Sequence, residues 1–209
     1  MAEEKIGKKA GLEITLTGLV QLVPVVGAPA AAWWSGYKQE KTNKRIENFT
    51  QELSEELQRL KDEGVKLSEE SAASVAGIIE STYDRVEAEL NEEKIQFFKK
   101  FINNTLKMPD PRDIDHKKIL LDELTSISMI ECHLLVSLYQ NKDFVQIGAF
   151  SGPFDIYTVL GAINRLKGRG FIATRRDNFM MNGAHDEALS ELIALSDYGR
   201  EFAEFCILG

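Results

Sequence analysis

The residues whose types could support metal binding or catalysis are few and scattered. The chain has three histidines and two cysteines among 209 residues. Asp113, Asp115 and His116 stand together, but acids at the beginning of a predicted helix already stabilise its dipole. No second ligand pair at a defined spacing accompanies them. We therefore predict neither a metal ion nor another cofactor.

Glu131, Cys132 and His133 place a thiol beside a base. Neighbouring helical residues point about 100° apart, so these side chains do not share one face. Cys132 and Cys206 each lie among apolar residues without a C-x-x-C spacing, and we expect both to be buried, reduced thiols. Because no nucleophile, base and orienting group come together, we predict that the protein is not an enzyme and has no small-molecule substrate.

A long uncharged segment runs from Ile14 to Tyr37. Pro24, Gly27 and Pro29 interrupt it, which predicts a helical hairpin and disfavours one straight helix. Each arm would be about 15 Å long or less, against roughly 30 Å of hydrocarbon in a bilayer. A buried or re-entrant hairpin therefore fits better than a membrane-crossing helix.

This apolar hairpin is the sharpest candidate for contact with a membrane or a partner. Adjacent tryptophans followed by Lys38, Lys41, Lys44 and Arg45 are typical of a membrane interface. Packing of the hairpin as core and self-association through it remain open alternatives. The residues predicted to make the contact are Val25, Val26, Trp33, Trp34 and Tyr37.

Helical periodicity follows the hairpin. The pattern predicts a helix from about Lys38 to Glu63 that ends at Gly64, a second beginning at Ser68, and a third beginning at Asn91. The predicted buried positions are Ile46, Phe49, Leu53, Leu57 and Leu60, then Val75, Ile78, Ile79, Tyr83, Val86 and Leu90, then Ile95, Phe97, Phe98, Phe101, Ile102 and Leu106.

Met108-Pro109-Asp110-Pro111 is the one plausible domain boundary, because two prolines so close together exclude a continuing helix. The fold class predicted is mostly α. Residues 1–108 would form a helical bundle that includes hairpin 14–37, and residues 109–209 a winged-helix-like α+β domain.

The order of elements after the boundary predicts the winged helix. The predicted elements are a helix at Ile114–Leu124, a helix opened by the S-x-x-E capping box of Ser128 and Glu131, an edge strand at Phe144–Ile147, a helix beginning near Asp155, strands at Phe171–Thr174 and Glu191–Leu195, and a last helix from Asp197 to Ile207.

A basic group lies at the predicted recognition helix and wing, and consists of Arg165, Lys167, Arg169, Arg175 and Arg176. In a DNA reader, early residues of this helix would meet bases, and here those would be Asp155, Thr158 and Ala162. They form a poor base reader, and the chain carries a net charge of −8. We therefore favour a protein partner over DNA. The alternative is a DNA-binding winged-helix transcriptional regulator.

Several segments together carry a family resemblance. They are LVPVVGAPAAAWWSGY with KRIENFTQELSEELQRLK, then NEEKIQFFKKFINNTL, and LSDYGREFAEFCI, which follows an L-T-x-x-G-x-x-F pattern. The chain resembles the abortive-infection alpha-like proteins of bacteria, except that Ser196-Asp197 replaces the usual Thr-Pro. The resemblance implies antiviral defence. We expect a cytoplasmic protein, with membrane association left open, that acts by association and without catalysis.

Overall fold

A computed structural model describes residues 36–64, 68–175 and 187–209. These residues are mostly helical and include a small three-stranded antiparallel sheet, which confirms the predicted mostly α class. The chain divides into two compact units. Of the described residues, the first comprises 36–64, 68–90 and 105–118, and the second comprises 91–104, 119–175 and 187–209. Residues 91–104 therefore belong to the second unit, whereas a division at Met108 would leave them with the first.

Helix α1 spans Gly36–Asp62 and follows the predicted apolar stripe. It ends before Gly64, whose φ of 76° lies in the left-handed region that glycine adopts without a steric penalty. The predicted core residues of α1 that the structure buries are Phe49, Leu53, Leu57 and Leu60.

Helix α2 spans Glu69–Ala88 and begins after Ser68, as predicted. The hydroxyl of Ser68 accepts a hydrogen bond from the backbone N–H of Ser71 at 3.1 Å, which satisfies an otherwise unpaired amide of the first turn. Leu90 was predicted to be buried, and this is wrong: it is 80% exposed. Because α2 ends at Ala88, its apolar stripe does not continue to Leu90.

Tyr83 joins the first two helices. Its hydroxyl donates to Thr50 Oγ1 at 2.9 Å, and its ring meets the edge of the Phe49 ring at 5.2 Å between centroids. The tyrosine is therefore a core residue whose polar end has a partner.

Helix α3 spans Glu92–Lys107, and its N-terminal part belongs to the second unit. Three of its polar side chains donate to backbone carbonyls there: Lys94 Nζ to Thr125 O at 2.8 Å and Ile127 O at 2.7 Å, Lys100 Nζ to Ile207 O at 2.7 Å, and Asn104 Nδ2 to Phe205 O at 2.9 Å. These carbonyls lie at the C-terminal ends of helices, where no intrahelical donor remains for them.

The capping box is confirmed. A short 3₁₀ helix, Pro111–Asp113, leads into α4, Ile114–Ser126, which is followed by α5, Met129–Gln140. Ser128 N–H donates to Glu131 Oε2 at 2.7 Å, and Glu131 N–H donates to Ser128 Oγ at 3.4 Å.

The remaining elements alternate between short strands and helices. They are β1 (Val145–Gln146), a 3₁₀ helix (Ile147–Ala149), α6 (Ile156–Gly168), β2 (Ile172–Arg175), α7 (Glu187–Ser190), β3 (Leu192–Leu195), α8 (Asp197–Phe202) and its continuation as a π-helix (Ala203–Leu208).

The three strands are antiparallel in the order β1-β3-β2. Ile193 of the central strand pairs with Val145 on one side and with Thr174 on the other. Ile193 is fully buried, so the face of the sheet that carries it faces the core of the second unit.

The junction between β3 and α8 explains the L-T-x-x-G-x-x-F pattern. Ser196 Oγ accepts from Gly199 N–H at 2.9 Å and donates to Gly170 O at 2.6 Å, so it caps the helix and fastens it to the turn before β2. The ring of Phe202 lies 4.7 Å from that of Phe171, and both are fully buried. The hydroxyl, the glycine and the phenylalanine each have a structural reason.

Candidate functional site

The basic group lies at the end of α6 and at the end of β2. Arg165 and Lys167 belong to the last turn of α6, Arg169 is its C-cap residue, and Arg175 is the last residue of β2. Arg176 lies outside the described residues.

Arg165 is bound to a buried acid. Its Nε lies 2.8 Å from Glu131 Oε1, and the Glu131 side chain is 2% exposed. Burial alone would raise the pKa of Glu131, but hydrogen bonds from Ser128 and Arg165 outweigh it and hold the pKa below its usual range. Glu131 therefore links the cap of α5 to the C-terminal turn of α6 as a charged carboxylate.

The two neighbouring cations are paired in the same way. Lys167 Nζ contacts Glu191 Oε2, just before β3, and both side chains are mostly buried. Arg169 Nη1 lies 2.5 Å from Glu123 Oε2 and 2.5 Å from Ser126 Oγ at the end of α4. The cations at the end of α6 are thus balanced by three acids, and they hold α6 to its neighbours.

Arg175 has a different environment. Its guanidinium carbon lies 5.4 Å from the centroid of the Phe144 ring, a cation–π distance. Phe144 precedes β1 and is 40% exposed. Phe144 precedes one edge strand, β1, and Arg175 ends the other edge strand, β2, so the contact between their side chains spans the central strand β3.

The surface of α6 differs from the predicted one. Ala162 was predicted to face outward, and this is wrong: it is fully buried, because it shares the inner stripe with Val159 and Leu166. Thr158 is exposed as predicted, and Asp155 is the N-cap residue, whose carboxylate accepts from Tyr157 N–H at 2.9 Å.

Sequence reasoning missed two exposed aromatic residues at the beginning of α6. Phe154 is 47% exposed and Tyr157 is 59% exposed. Tyr157 lies about 200° around the helix from Val159, so its position opposite the inner stripe was a usable signal. With Phe144, these are the exposed aromatic residues among the described residues of the second unit, and such side chains are enriched where proteins associate.

The thiol beside a base does not form a dyad. Cys132 is fully buried, and burial raises its pKa to about 12, so almost no thiolate exists near neutral pH. His133 is exposed, and its Nε2 lies 3.1 Å from Glu93 Oε1 on α3. Within the ranges that the structure describes, no three His, Cys, Asp or Glu side chains are grouped as metal ligands would be.

The residues predicted for the hairpin contact fall on the undescribed part of the chain. Val25, Val26, Trp33 and Trp34 lie outside the described residues, and Tyr37 lies in α1 as a helical residue whose side chain is not described. Among the described helices, none combines the length and the apolar character needed to cross a membrane.

Comparisons with protein-family models, with curated proteins and with solved structures give no match.

Proposed function

We propose that this chain is a bacterial antiviral-defence protein that acts, without catalysis, by associating with a protein or membrane partner. In this proposal the second unit is a winged-helix-like module that binds protein. The antiviral part rests on the resemblance of the hairpin, the helical segments and the Ser196–Phe202 junction to abortive-infection alpha-like proteins.

The order of elements supports the winged-helix-like module. Two helices, a short strand, a helix, a second strand, the four-residue helix α7 and a third strand follow one another, and β3 pairs with both other strands. One detail departs from a plain helix-turn-helix, which joins its helices by a turn of three or four residues. Here α5 and α6 are separated by residues 141–155, which contain β1 and a 3₁₀ helix.

The observation that carries the proposal of a protein partner is the pairing of the basic group. A DNA-binding module directs its Arg and Lys side chains at phosphates. Arg165, Lys167 and Arg169 instead bind Glu131, Glu191 and Glu123. Lys167 and Arg169 could bind phosphate only by leaving Glu191 and Glu123, whose half-buried carboxylates would then be uncompensated.

The competing function is a DNA-binding regulator. Asn164 on the exposed side of α6 favours it, because an asparagine in the major groove can pair with adenine. Tyr157, Phe154 and Phe144 favour association with protein, since exposed aromatic rings are enriched at protein interfaces.

Duplex binding, measured by fluorescence anisotropy, tests the choice. We expect the wild-type chain to bind random duplex more weakly than about 1 µM at 150 mM salt. A double variant, Glu123→Gln with Glu191→Gln, should bind roughly tenfold more tightly because it releases Lys167 and Arg169.

The matched control is Glu47→Gln with Glu80→Gln, which changes the net charge equally at exposed positions of the first unit. It should change duplex affinity far less. Tight, sequence-selective binding by the wild type that Arg175→Ala abolishes would overturn the proposal in favour of the regulator.

A further inference from the structure

Helix α6 carries a second stripe of residues on the side opposite its buried one. Tyr157, Gly161, Asn164 and Gly168 follow one another at spacings of four, three and four, so they lie along one line of the helix. Tyr157 is 59% exposed, and Asn164 and Gly168 are exposed as well. Stripes with this spacing are the ones through which paired helices pack in coiled coils.

The height of the surface changes along this stripe. Phe154, just before the helix, and Tyr157, in its first turn, place two exposed aromatic rings at the N-terminal end. Farther along, a Cβ atom added at Gly161 would meet only Arg165 Nη1, at 3.7 Å, and one added at Gly168 would meet nothing within 4 Å. The surface is therefore raised at its N-terminal end and open towards its C-terminal end.

The exposed charges of α6 are also divided between its two ends. Asp155, the N-cap residue, is an exposed acid at the beginning of the helix. The side chain of Arg165 lies in the last turn and remains 57% exposed while its Nε contacts Glu131. An antiparallel copy of α6 would bring rings to openings and the cation to the end that carries the acid, whereas a parallel copy would set rings against rings and leave the openings unfilled.

We propose that α6 packs antiparallel on α6 of a second copy of this chain, with Tyr157 of each copy over Gly161 of the other. The two Tyr–Gly contacts are related by a two-fold axis, so both form at once and no further copy can add. The helix has 13 residues and is about 20 Å long, so the contact is small and the dimer is weak, with a dissociation constant on the order of 10–100 µM. The inference rests on the proposed function only in assigning this face of α6 to protein and not to DNA.

Sedimentation equilibrium of the full chain, at about 5–500 µM and without DNA, tests the dimer. We expect a monomer–dimer equilibrium that Gly161→Gln weakens by about tenfold or more, because the added side chain takes the place of the partner's Tyr157 ring. The matched control is Gly77→Gln, at an exposed position of α2 where an added Cβ meets nothing within 4 Å, and it should leave the dissociation constant unchanged. Both variants should stay folded, since glutamine favours a helix more than glycine does.

A chain that stays monomeric at about 500 µM would overturn the dimer, and so would equal effects of the two glutamine variants. A dimer that Gly161→Gln leaves intact would place the contact on another surface and would overturn the inference as well. Because duplex is absent from this measurement, its failure is distinct from that of the proposed function, which sequence-selective binding of duplex would overturn.

The direction of packing is tested with a spin label on Gly168→Cys, since both native cysteines are fully buried. With Tyr157 over the partner's Gly161, the two-fold axis passes near position 159, so the two labelled positions lie about 27 Å apart along the helices. Pulsed double electron resonance of the dimer should give a distance of about 25–40 Å. A distance below about 20 Å would indicate parallel helices and would overturn the antiparallel contact.

Discussion

Gly199 of α8 lies directly against the backbone carbonyl of Phe171. A Cβ atom built on Gly199 would lie 2.1 Å from Phe171 O and 2.9 Å from Phe171 C. Real Cβ atoms do not approach backbone so closely, so any larger residue would push α8 away from β2. The same carbonyl accepts a hydrogen bond from Ser196 N–H at 3.0 Å, which ties the two segments together at this point.

Replacing Gly199 with alanine should therefore destabilise the protein by about 3 kcal/mol or more in urea denaturation. The control is Gly161→Ala in α6, where a new Cβ would meet only Arg165 Nη1 at 3.7 Å. It should leave stability unchanged or raise it by about 0.5–1 kcal/mol, because alanine favours the helix. Equal effects of the two substitutions would contradict this account of the junction.

Lys94 should be among the most costly polar residues to remove. It is 7% exposed, and its ammonium group satisfies two carbonyls at the end of α4. Lys94→Met keeps most of the side-chain volume but leaves those carbonyls without this donor, and we expect a loss of about 2–4 kcal/mol of unfolding free energy. Lys118→Met, at an exposed position, should change it by less than about 0.5 kcal/mol. A small effect at Lys94 would mean that water replaces its hydrogen bonds without penalty.

The Glu131 carboxylate should give a measurable pH dependence. Its folded-state pKa is held below the usual value of 4.5 by the hydrogen bonds from Ser128 and Arg165, which outweigh burial. A lowered pKa contributes stability that is present above the unfolded value and is lost as the pH falls through the folded value. The wild type should therefore be more stable than Glu131→Gln by about 1–3 kcal/mol at pH 7, and this gap should shrink as the pH falls below the unfolded-state pKa and through the lowered folded-state pKa. Chemical denaturation at several pH values measures it, and a constant gap would refute it.

The exposed aromatic residues should matter for association and little for folding. Phe154→Ser and Tyr157→Ser should each change the unfolding free energy by less than about 0.5–1 kcal/mol, because both side chains already face solvent. Phe202→Ala, at a fully buried position, should cost about 3–5 kcal/mol. Under the proposed function, the two serine variants lose protection against phage while remaining folded. Full protection by both would remove this surface from consideration.

The hairpin tryptophans give a second test of the proposed function. If the hairpin contacts a membrane or a partner, Trp33→Ala with Trp34→Ala should leave the described helices folded and abolish protection in an infection assay. A loss of about 3–5 kcal/mol of stability would instead identify these residues as core. Fractionation of infected cells distinguishes a membrane from a protein partner.

Local signals in the sequence predicted much of the fold. Ser68, Gly64 and the Ser128–Glu131 box act on neighbouring residues, so the helix ends they define were visible without tertiary structure. The burial of individual side chains was less predictable. Leu90 continues the periodicity of α2, yet the helix stops before it, and Ala162 was placed outward although its neighbours along the stripe are core.

No local pattern in the sequence pointed to the acids that pair with the basic group. The acids that bind Arg165, Lys167 and Arg169 lie 34, 24 and 46 positions away in sequence. Only the packing of α4, α5 and β3 around the end of α6 brings them within reach. The run of cations near the predicted recognition helix predicted a contact surface, and nothing in the sequence indicated that three of these cations pair with acids of the same unit.

Helix α3 has a consequence for how the chain is made. The donors Lys100 and Asn104 leave the ribosome long before their acceptors, which lie 107 and 101 positions later. Until residues 205–207 have been synthesised, these two side chains lack their carbonyl acceptors. The second unit must then close a very long loop to form this contact between α3 and the π-helix, which we call the seam. Fragments that begin at residue 109 lack this seam from the start, so the unit for recombinant expression should begin near Asn91.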